Sequence, residues 1–257
     1  MEEYVLRADG LKKTYCEGSR VIEAVRGASF ALRSGEITGI VGPSGCGKST
    51  LLQMIAWLEP LSGGCVSFLG HRLTQRTRGW PREVYRHLQL IFQNPLEAFS
   101  PRMTIGHFLL EPLLRFGLIT EKDASETLRM MLERAHLPLP AAERLPHQLS
   151  GGQLQRAVMI RALFIRPELL LFDEPTSALD VVTQAALLDF IRELHREYGF
   201  TGLFVTHDLA VVQQMTVRVF VMESGAIVED LPSAELKEAA HPFTRRLLAA
   251  QLPHYHF

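Results

Sequence analysis

The sequence predicts an α/β protein built on a mixed β-sheet, with an antiparallel β portion near the N-terminus and an inserted helical subdomain at about residues 95–165. Three observations support this fold class. Short β-type segments recur along the chain and end in polar or glycine-rich motifs. The segment Leu169–Phe172 is continuously apolar, as in parallel strands that are covered on both faces. Residues 103–137 instead repeat their apolar side chains with a helical period.

The composition is that of an ordinary globular protein of 257 residues, with 47% hydrophobic and 21% charged residues. A net charge of −1 provides no electrostatic footprint for nucleic acid. No apolar run approaches the roughly 20 residues of a membrane-spanning helix, and the N-terminus lacks the features of a secretory signal. The three cysteines have unrelated spacings that suit a reducing compartment. We therefore expect a cytosolic protein that binds no nucleic acid.

The first motif is a phosphate-binding loop that follows a predicted strand and opens a predicted helix. The segment Gly42–Thr50 reads Gly-x-x-x-x-Gly-Lys-Ser, the pattern of the P-loop. Its backbone N–H groups can surround an anion, and the helix N-terminus adds partial positive charge. In this pattern Lys48 reaches the β- and γ-phosphates and Ser49 ligates Mg²⁺. An ordinary glycine-rich turn is the alternative, but the flanking strand Glu36–Val41 and helix Leu51–Trp57 favour a nucleotide site.

The sequence also predicts a reactive thiol in the loop, that of Cys46. The thiolate form of Cys46 should be favoured, because a lysine and a helix N-terminus lie close to it. We expect Cys46 to react with maleimide faster than Cys16 or Cys65, and bound MgATP to protect it. The candidate nucleotide-binding residues of the loop are Gly42, Pro43, Ser44, Gly45, Cys46, Gly47, Lys48, Ser49 and Thr50.

Strand-type composition with turn signals at the ends predicts the strands Tyr4–Ala8, Val21–Leu32 with a break at Gly27, Cys65–Leu69 and Leu88–Phe92. The segment Arg72–Arg86 is polar and basic, which predicts solvated helix and loop. Tyr15 lies between the first two strands and could stack on an adenine ring. From the residue type alone, a half-buried tyrosine at the end of a strand is the favoured interpretation.

The character of the sequence changes after Pro95. The segments Met103–Leu114 and Ala124–Leu137 repeat apolar residues with the period of a helix. In the second segment the residues at i, i+3, i+4 and i+7 form one helix face: Leu128, Met131, Leu132 and Ala135. We expect this helical insertion to end near Pro138–Pro140.

A second candidate anion site lies at Leu149–Gln153, where Leu-Ser-Gly-Gly-Gln opens a helix that runs toward Phe164. Ser150 is an N-cap signal, and Gly151 and Gly152 expose backbone N–H groups. Unlike the P-loop, this segment contains no lysine. Alone, a Ser-Gly-Gly sequence at a helix start indicates only a cap, so the assignment depends on the rest of the chain.

Polar residues follow two predicted buried strands at their carboxyl ends, where ligands bind in open α/β sheets. After Leu169–Phe172, Asp173 is placed to hold Mg²⁺ through its shell, and Glu174 to orient and deprotonate an attacking water. His207 follows the strand Gly202–Thr206, although a histidine at a strand end is more often structural. Two solvated acids at a capped strand end are the alternative interpretation, which the P-loop disfavours.

In order and rough spacing, these motifs resemble those of the ATP-binding cassette family, the ATPase subunits of ABC transporters. The matching segments cover nearly the whole chain: Gly42–Thr50, Gln93, Leu149–Gln153, Leu169–Glu174, Ser177–Asp180 and His207. The resemblance implies a P-loop NTPase core and a single nucleotide-binding domain over residues 1–257. It also implies ATP and Mg²⁺ as ligands.

The resemblance assigns roles to individual residues. Tyr15 matches the adenine-stacking aromatic, Gln93 the residue that links the γ-phosphate and Mg²⁺ to the helical subdomain, and His207 a γ-phosphate contact. Two subunits of the family pair head to tail, so that each ATP lies between one P-loop and the Ser150–Gln153 segment of the other chain. The implied catalytic residues are Glu174, His207 and Gln93, and the implied metal ligands are Ser49, Gln93 and Asp173. The implied nucleotide-binding residues outside the P-loop are Tyr15, Ser150, Gly151, Gly152, Gln153 and Asp180.

A narrower resemblance is to the bacterial oligopeptide, dipeptide and nickel uptake ATPases, which work with two membrane permeases and a solute-binding protein. It rests on Ser100–Ile105, Thr206–Val212 and His241–Thr244. The sequence departs from that group at Glu229–Pro232, where a glycine usually follows Ile-Val-Glu, and at Val217, where an aspartate is usual. Its short C-terminal part favours the shorter nickel or metal-chelate members.

We therefore expect the ATP-hydrolysing subunit of a bacterial ABC importer for a peptide, or for nickel or a metal chelate, peripheral on the cytoplasmic face of the inner membrane. Its expected partners are a second ABC ATPase subunit, in a homodimer or heterodimer, two permeases and indirectly a solute-binding protein. A soluble ABC ATPase of DNA repair or translation is the alternative, but a single cassette without a coiled-coil insertion or basic stripe argues against it. His254–His256 permit a metal-site interpretation, although a frayed terminus is favoured.

Overall fold

The computed structural model describes residues 4–18, 20–177 and 179–250. The C-terminal histidines His254 and His256 lie outside these residues. The strands are β1 (Tyr4–Glu17), β2 (Arg20–Arg33), β3 (Ile37–Val41), β4 (Gly63–Phe68), β5 (His71–Thr74), β6 (Leu88–Ile91), β7 (Leu169–Asp173), β8 (Thr201–Thr206), β9 (Arg218–Glu223) and β10 (Ala226–Pro232).

The α-helices are α1 (Lys48–Ile55), α2 (Val84–His87), α3 (Ile105–Arg115), α4 (Ala124–Arg134), α5 (Gly151–Phe164), α6 (Val181–Tyr198), α7 (Leu209–Met215) and α8 (Pro242–Ala249). Short 3₁₀ helices cover Pro95–Ala98, Leu139–Glu143, Pro146–Gln148 and Ser233–Glu238. Among the described residues, no helix combines the length and hydrophobicity that crossing a bilayer requires.

The chain divides into two compact units. The first unit comprises residues 1–81 and 201–257, and the second comprises residues 82–200. The first contains most of the strands, and the second contains the four longest α-helices with two parallel strands. Antiparallel and parallel pairing both occur, which confirms the predicted α/β class.

An antiparallel sheet in the first unit has the strand order β2-β1-β4-β5. β1 and β2 pair over their whole length, so the strand predicted to end at Ala8 continues to Glu17. The predicted break at Gly27 is wrong, because β2 is continuous there. Gly27 is instead a bulge: Leu11 faces Ala28 and Lys12 faces Arg26, which leaves Gly27 unopposed, with φ 87°. A glycine accepts this left-handed conformation without steric cost.

The prediction of a solvated helix and loop over Arg72–Arg86 is partly wrong. Its first residues belong to β5, which pairs antiparallel with β4 and completes the sheet edge. Trp80 is only 6% exposed, and its indole Nε1–H donates to the carbonyl of Ile55, 2.8 Å away, at the end of α1. A tryptophan with a satisfied indole can be buried beside polar neighbours, and the polar composition concealed this.

Parallel strands in the first unit support the P-loop. β3 pairs parallel with both β8 and β9, and β10 pairs antiparallel with β9. Every residue of β3 and β8 is buried, as expected for strands covered on both faces. Val41 faces Thr206, so the P-loop and His207 leave the sheet side by side at its carboxyl edge.

The second unit contains a parallel pair, β6 and β7, in which Ile91 faces Phe172. Gln93, which follows β6, and Asp173, which ends β7, therefore lie at the carboxyl ends of neighbouring strands. The two predicted helices are confirmed as α3 and α4. α3 begins two residues later and ends one residue later than predicted, whereas α4 begins at the predicted residue and ends three residues earlier. On α4 the predicted apolar face is confirmed, since Met131 and Leu132 are nearly inaccessible to solvent.

Candidate active site

The P-loop closes around its own lysine. It connects β3 to α1, and Lys48, the first residue of α1, is 4% exposed. The Lys48 ammonium Nζ donates to the carbonyl oxygens of Gly42, at 2.9 Å, and Pro43, at 3.0 Å. This holds the ammonium inside the turn of the loop. Its positive charge is therefore placed where a loop of backbone amides can also bind phosphate oxygens.

Two P-loop glycines are required by close contacts between backbones. A Cβ on Gly42 would lie 2.2 Å from the carbonyl oxygen of Met222 in β9. A Cβ on Gly47, whose φ is 105°, would lie 2.2 Å from the carbonyl oxygen of Ala24. Ala24 is a bulge residue of β2, because Lys13 faces Val25 while Thr14 faces Glu23. The loop is therefore fixed by strands on two sides, which a pattern of phosphate-binding glycines does not indicate.

The expected reactivity of Cys46 is not supported by its position. The thiol is 5% exposed, and its Sγ would lie 2.8 Å from a Cβ on Gly42, so the side chain points into the fold beneath the loop. Cys65 is also buried, whereas Cys16 is exposed. Burial therefore favours the opposite order of labelling, with Cys16 first, because the sequence argument considered the charge around the Cys46 thiol and not its burial.

The remaining candidates of the first unit lie at strand ends. His207 is exposed and follows β8, next to the strand that leads into the P-loop. Ser49 and Thr50 are half-buried in the first turn of α1. Tyr15 is half-buried in β1, where its ring lies 4.7 Å, measured to the ring centroid, from the ammonium of Lys13. No motif in the sequence distinguished Lys13.

The acidic residues of the second unit lie at the carboxyl end of β7, where Asp173 is the last residue of the strand and Glu174 follows it. Asp173 is 8% exposed at the end of the strand. Glu174 has φ 45°, in the left-handed region that non-glycine residues rarely adopt. Such a conformation costs on the order of 1–3 kcal/mol and persists only where the surrounding structure imposes it. The strained residue is the one that the sequence selects as the general base.

A hydrogen-bond chain connects Gln93 with the residue that follows Asp173. The Gln93 side-chain amide Nε2 donates to the Ser177 hydroxyl at 3.0 Å, and this hydroxyl donates to the Glu174 carbonyl oxygen, also at 3.0 Å. Sequence reasoning missed Ser177 as a site residue. Ser177 entered the sequence analysis only as the first residue of the segment Ser177–Asp180, whose last residue, Asp180, is the N-cap of α6.

The side chain of Asp180 caps the N-terminus of α6. Its carboxylate accepts hydrogen bonds from the backbone N–H groups of Val182 and Thr183, at 3.1 and 3.0 Å, and from the Thr183 hydroxyl at 2.7 Å. The Thr183 hydroxyl and backbone bonds, with the bond from Val182, lower the pKa of Asp180 below its ordinary value. The carboxylate therefore remains ionised at neutral pH.

The second candidate anion site is a capped helix start, as predicted. Ser150 Oγ accepts from the Gln153 backbone N–H at 3.4 Å, and Gln153 Oε1 accepts from the Ser150 backbone N–H at 3.0 Å. This reciprocal pair is a capping box at the N-terminus of α5. A Cβ on Gly152 would lie 2.9 Å from Thr183 Cγ2, so α5 and α6 meet closely at this glycine.

The site residues fall into one set in each unit. The first unit holds Tyr15, the P-loop and His207, and the second holds Gln93, Asp173, Glu174, Ser150–Gln153 and Asp180. These motifs define a class, the P-loop nucleotide-binding α/β proteins. The individual roles of the residues stay predictions.

Comparison with known proteins shows the family. The model of the ABC transporter family matches residues 25–177. A protein of Brucella abortus (strain 2308), named as a peptide import ATP-binding protein, is 38% identical over 256 residues, 96% of this chain and 76% of that protein. The glutathione import ATP-binding protein GsiA of Escherichia coli (strain K12) is 41% identical over 233 residues, 90% of this chain but 37% of GsiA. The chain belongs to the ABC transporter family.

Solved structures agree with this assignment. The dimeric post-hydrolysis state of the ATP-binding cassette MJ0796, bound to ADP and Pi, is 28% identical and has a TM-score of 0.77, covering 89% of this chain and 98% of that one. CbiO1 of Clostridium perfringens, part of the ABC transporter complex cbiONQ, has a TM-score of 0.78 over 98% of this chain and all of its own. Its identity of 23% shows the fold alone. The predicted ABC ATPase class is confirmed.

The comparisons also bear on the alternative function. The relatives described above carry the names of import ATP-binding proteins. This supports the importer class over a soluble ATPase of DNA repair or translation.

Proposed function

We propose that this chain powers the import of a peptide or a peptide-like solute by hydrolysing ATP. The observation that carries the proposal is the match over 96% of the chain to a relative named for peptide import. GsiA, which is named for import of the tripeptide glutathione, points to the same chemical class. Neither name supports the expectation that the solute is nickel or a metal chelate.

The assembly we propose is a peripheral one on the cytoplasmic face of the inner membrane. The chain pairs with a second ABC ATPase subunit, which is either a copy of itself or a related chain. The pair acts on two transmembrane permeases, which receive solute from a solute-binding protein. Within the chain, residues 1–257 form one nucleotide-binding domain, into which the helical subdomain at about 95–165 is inserted.

The residues fit the ligands that we propose for them. The backbone amides of the P-loop can bind phosphate oxygens, and the Lys48 ammonium is held in the turn of the loop, where it would neutralise phosphate charge. Oxygen ligands suit Mg²⁺, and the hydroxyl of Ser49, the side-chain amide of Gln93 and the carboxylate of Asp173 supply three. Bound Mg²⁺ would neutralise charge that develops on the phosphates.

We propose a distinct step for each remaining residue. Glu174 takes a proton from the attacking water, and the left-handed backbone fixes the direction of its side chain. His207 contacts the γ-phosphate and stabilises the closed pair of subunits. Tyr15 stacks on adenine, and Asp180 orders the start of α6. Through its two hydrogen bonds, Ser177 couples the position of the Gln93 side chain to the position of the Glu174 backbone.

The lysine-free helix start completes the site of the other subunit. Ser150, Gly151, Gly152 and Gln153 offer a capped N-terminus with anion-binding character, and no lysine accompanies it. The dimer of the MJ0796 cassette was solved with ADP and Pi bound. ATP binding then closes the pair and hydrolysis reopens it. We assign the transmission of this motion to the permeases to the segment Gln93–Leu96, which lines a cavity of about 390 Å³ with the start of α5.

Affinity purification of the tagged chain from detergent-solubilised cells tests the proposed function. We expect two strongly hydrophobic permease subunits to copurify, and no nucleic acid. Lys48→Ala, which should lose nucleotide binding without altering the permease-binding surface, is the matched control and should recover the same partners. Recovery of nucleic acid without any membrane protein would refute the importer assignment.

A further inference from the structure

A buried lysine lies against the ring that we assign to adenine. Lys13 precedes Tyr15 by two residues in β1, so the two side chains lie on one face of the strand. Lys13 is 6% exposed, and its ammonium lies over the Tyr15 ring at 4.7 Å from the centroid. A cation at this distance is attracted to the electron-rich face of the ring. One face of Tyr15 is thus occupied from within the protein.

The same ammonium is fixed by the segment that follows the P-loop helix. Lys13 Nζ forms an ion pair with Glu59 Oε2 at 2.6 Å and donates to the Pro60 carbonyl oxygen at 3.0 Å. The Glu59 backbone N–H in turn donates to the carbonyl of Gln53 in α1, at 3.2 Å. Two oxygen atoms and the face of the Tyr15 ring therefore surround the ammonium.

Backbone contacts on both sides of Lys13 reinforce this link. The Ser62 N–H donates to the Lys12 carbonyl oxygen at 2.8 Å, and the Thr14 N–H donates to the Ser62 hydroxyl at 3.0 Å. β1 is therefore held to the chain that leaves α1 immediately before and after the lysine. Since α1 begins at Lys48, the aromatic ring and the phosphate loop are mechanically connected within one unit.

We infer that Lys13 is a positioning residue for recognition of the nucleotide base. Its ammonium holds one face of the Tyr15 ring in a fixed position and orientation relative to α1. The opposite face of the ring is then free to stack on adenine. The inference rests on the proposed function, because it requires Tyr15 to stack on adenine. A lysine that only stabilised β1 would not change how much the base contributes to binding.

The test compares two ligands that share phosphates but not the base. Calorimetry on the full chain measures the binding of MgATP and of Mg-tripolyphosphate. Lys13→Met retains the aliphatic length and removes the charge. We expect MgATP to bind about five-fold more weakly, because the released Tyr15 ring must be ordered when adenine binds, with tripolyphosphate binding unchanged. Lys13→Arg should restore most of the lost affinity. Tyr15→Ala should weaken MgATP binding by about ten-fold, as for loss of one stacked base.

A matched control lies in the same strand. Arg7 Cζ is 5.0 Å from the ring centroid of Tyr4, a second cation–aromatic pair outside the candidate site. Arg7→Met should therefore leave the binding of both ligands unchanged. The double variant Lys13→Met with Tyr15→Ala should bind MgATP no more weakly than Tyr15→Ala alone, because the lysine acts through the ring.

Several results would overturn the inference in recognisable ways. Equal losses for MgATP and tripolyphosphate in Lys13→Met would show a structural role only, and unchanged MgATP binding would show no role. Unchanged MgATP binding in Tyr15→Ala would refute the adenine contact itself, which is part of the proposed function. If circular dichroism shows that Lys13→Met is unfolded, Glu59→Gln replaces it. Releasing the ammonium should still weaken MgATP binding about two-fold and selectively, and equal affinity would contradict the inference.

Discussion

Glu174 combines an unfavourable backbone conformation with the chemical position that the proposed mechanism needs. Its φ of 45° follows directly on the buried strand β7, and the Ser177 hydroxyl donates to its carbonyl oxygen. Strained residues of this kind concentrate at functional sites, where the neighbouring structure holds them. The carboxylate identity could be read from the sequence, but the strain could not, because φ depends on the packing around the residue.

Replacement of Glu174 tests its assignment as general base. In Glu174→Gln the amide has similar size but cannot take a proton from water, so we expect MgATP binding to be retained and hydrolysis to fall by about 10²–10⁴-fold. Single-turnover hydrolysis with excess protein is the measurement. Lys48→Ala serves as the contrast, since it should lose binding itself. A near-normal single-turnover rate for Glu174→Gln would exclude this residue as the base.

Thiol labelling tests whether the Cys46 side chain in the P-loop is buried. Because Cys16 is exposed and Cys46 is 5% exposed, we expect maleimide to modify Cys16 first in the nucleotide-free chain. Peptide mapping after short exposures gives the order, and the denatured chain, in which all three thiols are accessible, provides the control. Modification of Cys46 ahead of Cys16 would mean that the thiol faces the phosphate site, as its local charge first suggested.

At the level of elements, glycine is required in the P-loop because neighbouring strands pack closely against it, and not only because the loop can bind phosphate. Gly47 and Gly45 both have positive φ, 105° and 78°. Only Gly47 has a backbone oxygen in the place of a Cβ, whereas nothing lies within 4 Å of that position at Gly45. Comparing substitutions at the two glycines therefore separates the cost of a left-handed backbone conformation from the cost of a steric clash.

The Gly47→Ala and Gly45→Ala pair measures this difference. Gly45→Ala should destabilise the chain by about 1–2 kcal/mol, from the left-handed conformation alone. Gly47→Ala adds the clash with Ala24, which makes a loss of about 3 kcal/mol or more. Urea unfolding of the nucleotide-free chains compares them without involving catalysis. Equal unfolding free energies would mean that β2 does not restrict the loop as the structure indicates.

The start of α5 makes a prediction about the partner subunit. Ser150→Arg removes one cap bond, at a cost of about 1 kcal/mol, and places a large cation at the helix N-terminus. We expect almost unchanged MgATP affinity in the isolated chain, together with loss of turnover in the assembled transporter. Calorimetry and ATPase assays measure the two quantities. If the variant loses affinity in the monomer as severely as Lys48→Ala does, the segment binds nucleotide of its own chain.

Element identities could largely be predicted from the sequence, and boundaries and long-range contacts could not. Continuous apolar runs predicted β7 and β8 closely, because burial on both faces leaves an unambiguous pattern. β5 was missed, since an edge strand with polar residues resembles a loop. The bulge at Ala24 left no local signal, because it arises from the register between two strands.

At the scale of the molecule, each of the two compact units carries its own set of candidate site residues. Tyr15, the P-loop and His207 belong to the first, and the acidic residues, Gln93 and the capped start of α5 belong to the second. Residue order alone predicted all these motifs. The contacts that support them, between Lys13 and Tyr15 and between Ser177 and Gln93, are seen only in the structure, because no motif indicates which side chains these two residues contact.

The measurement that tests the central claim most directly is ATP hydrolysis by the assembled transporter. The chain, purified with its permeases and reconstituted in proteoliposomes, is assayed with solute-binding protein that is either empty or loaded with peptide. We expect loaded binding protein to raise the rate of hydrolysis, and Glu174→Gln to abolish it in both conditions. Equal rates with empty and loaded binding protein, or import of peptide that persists in Glu174→Gln, would contradict the account.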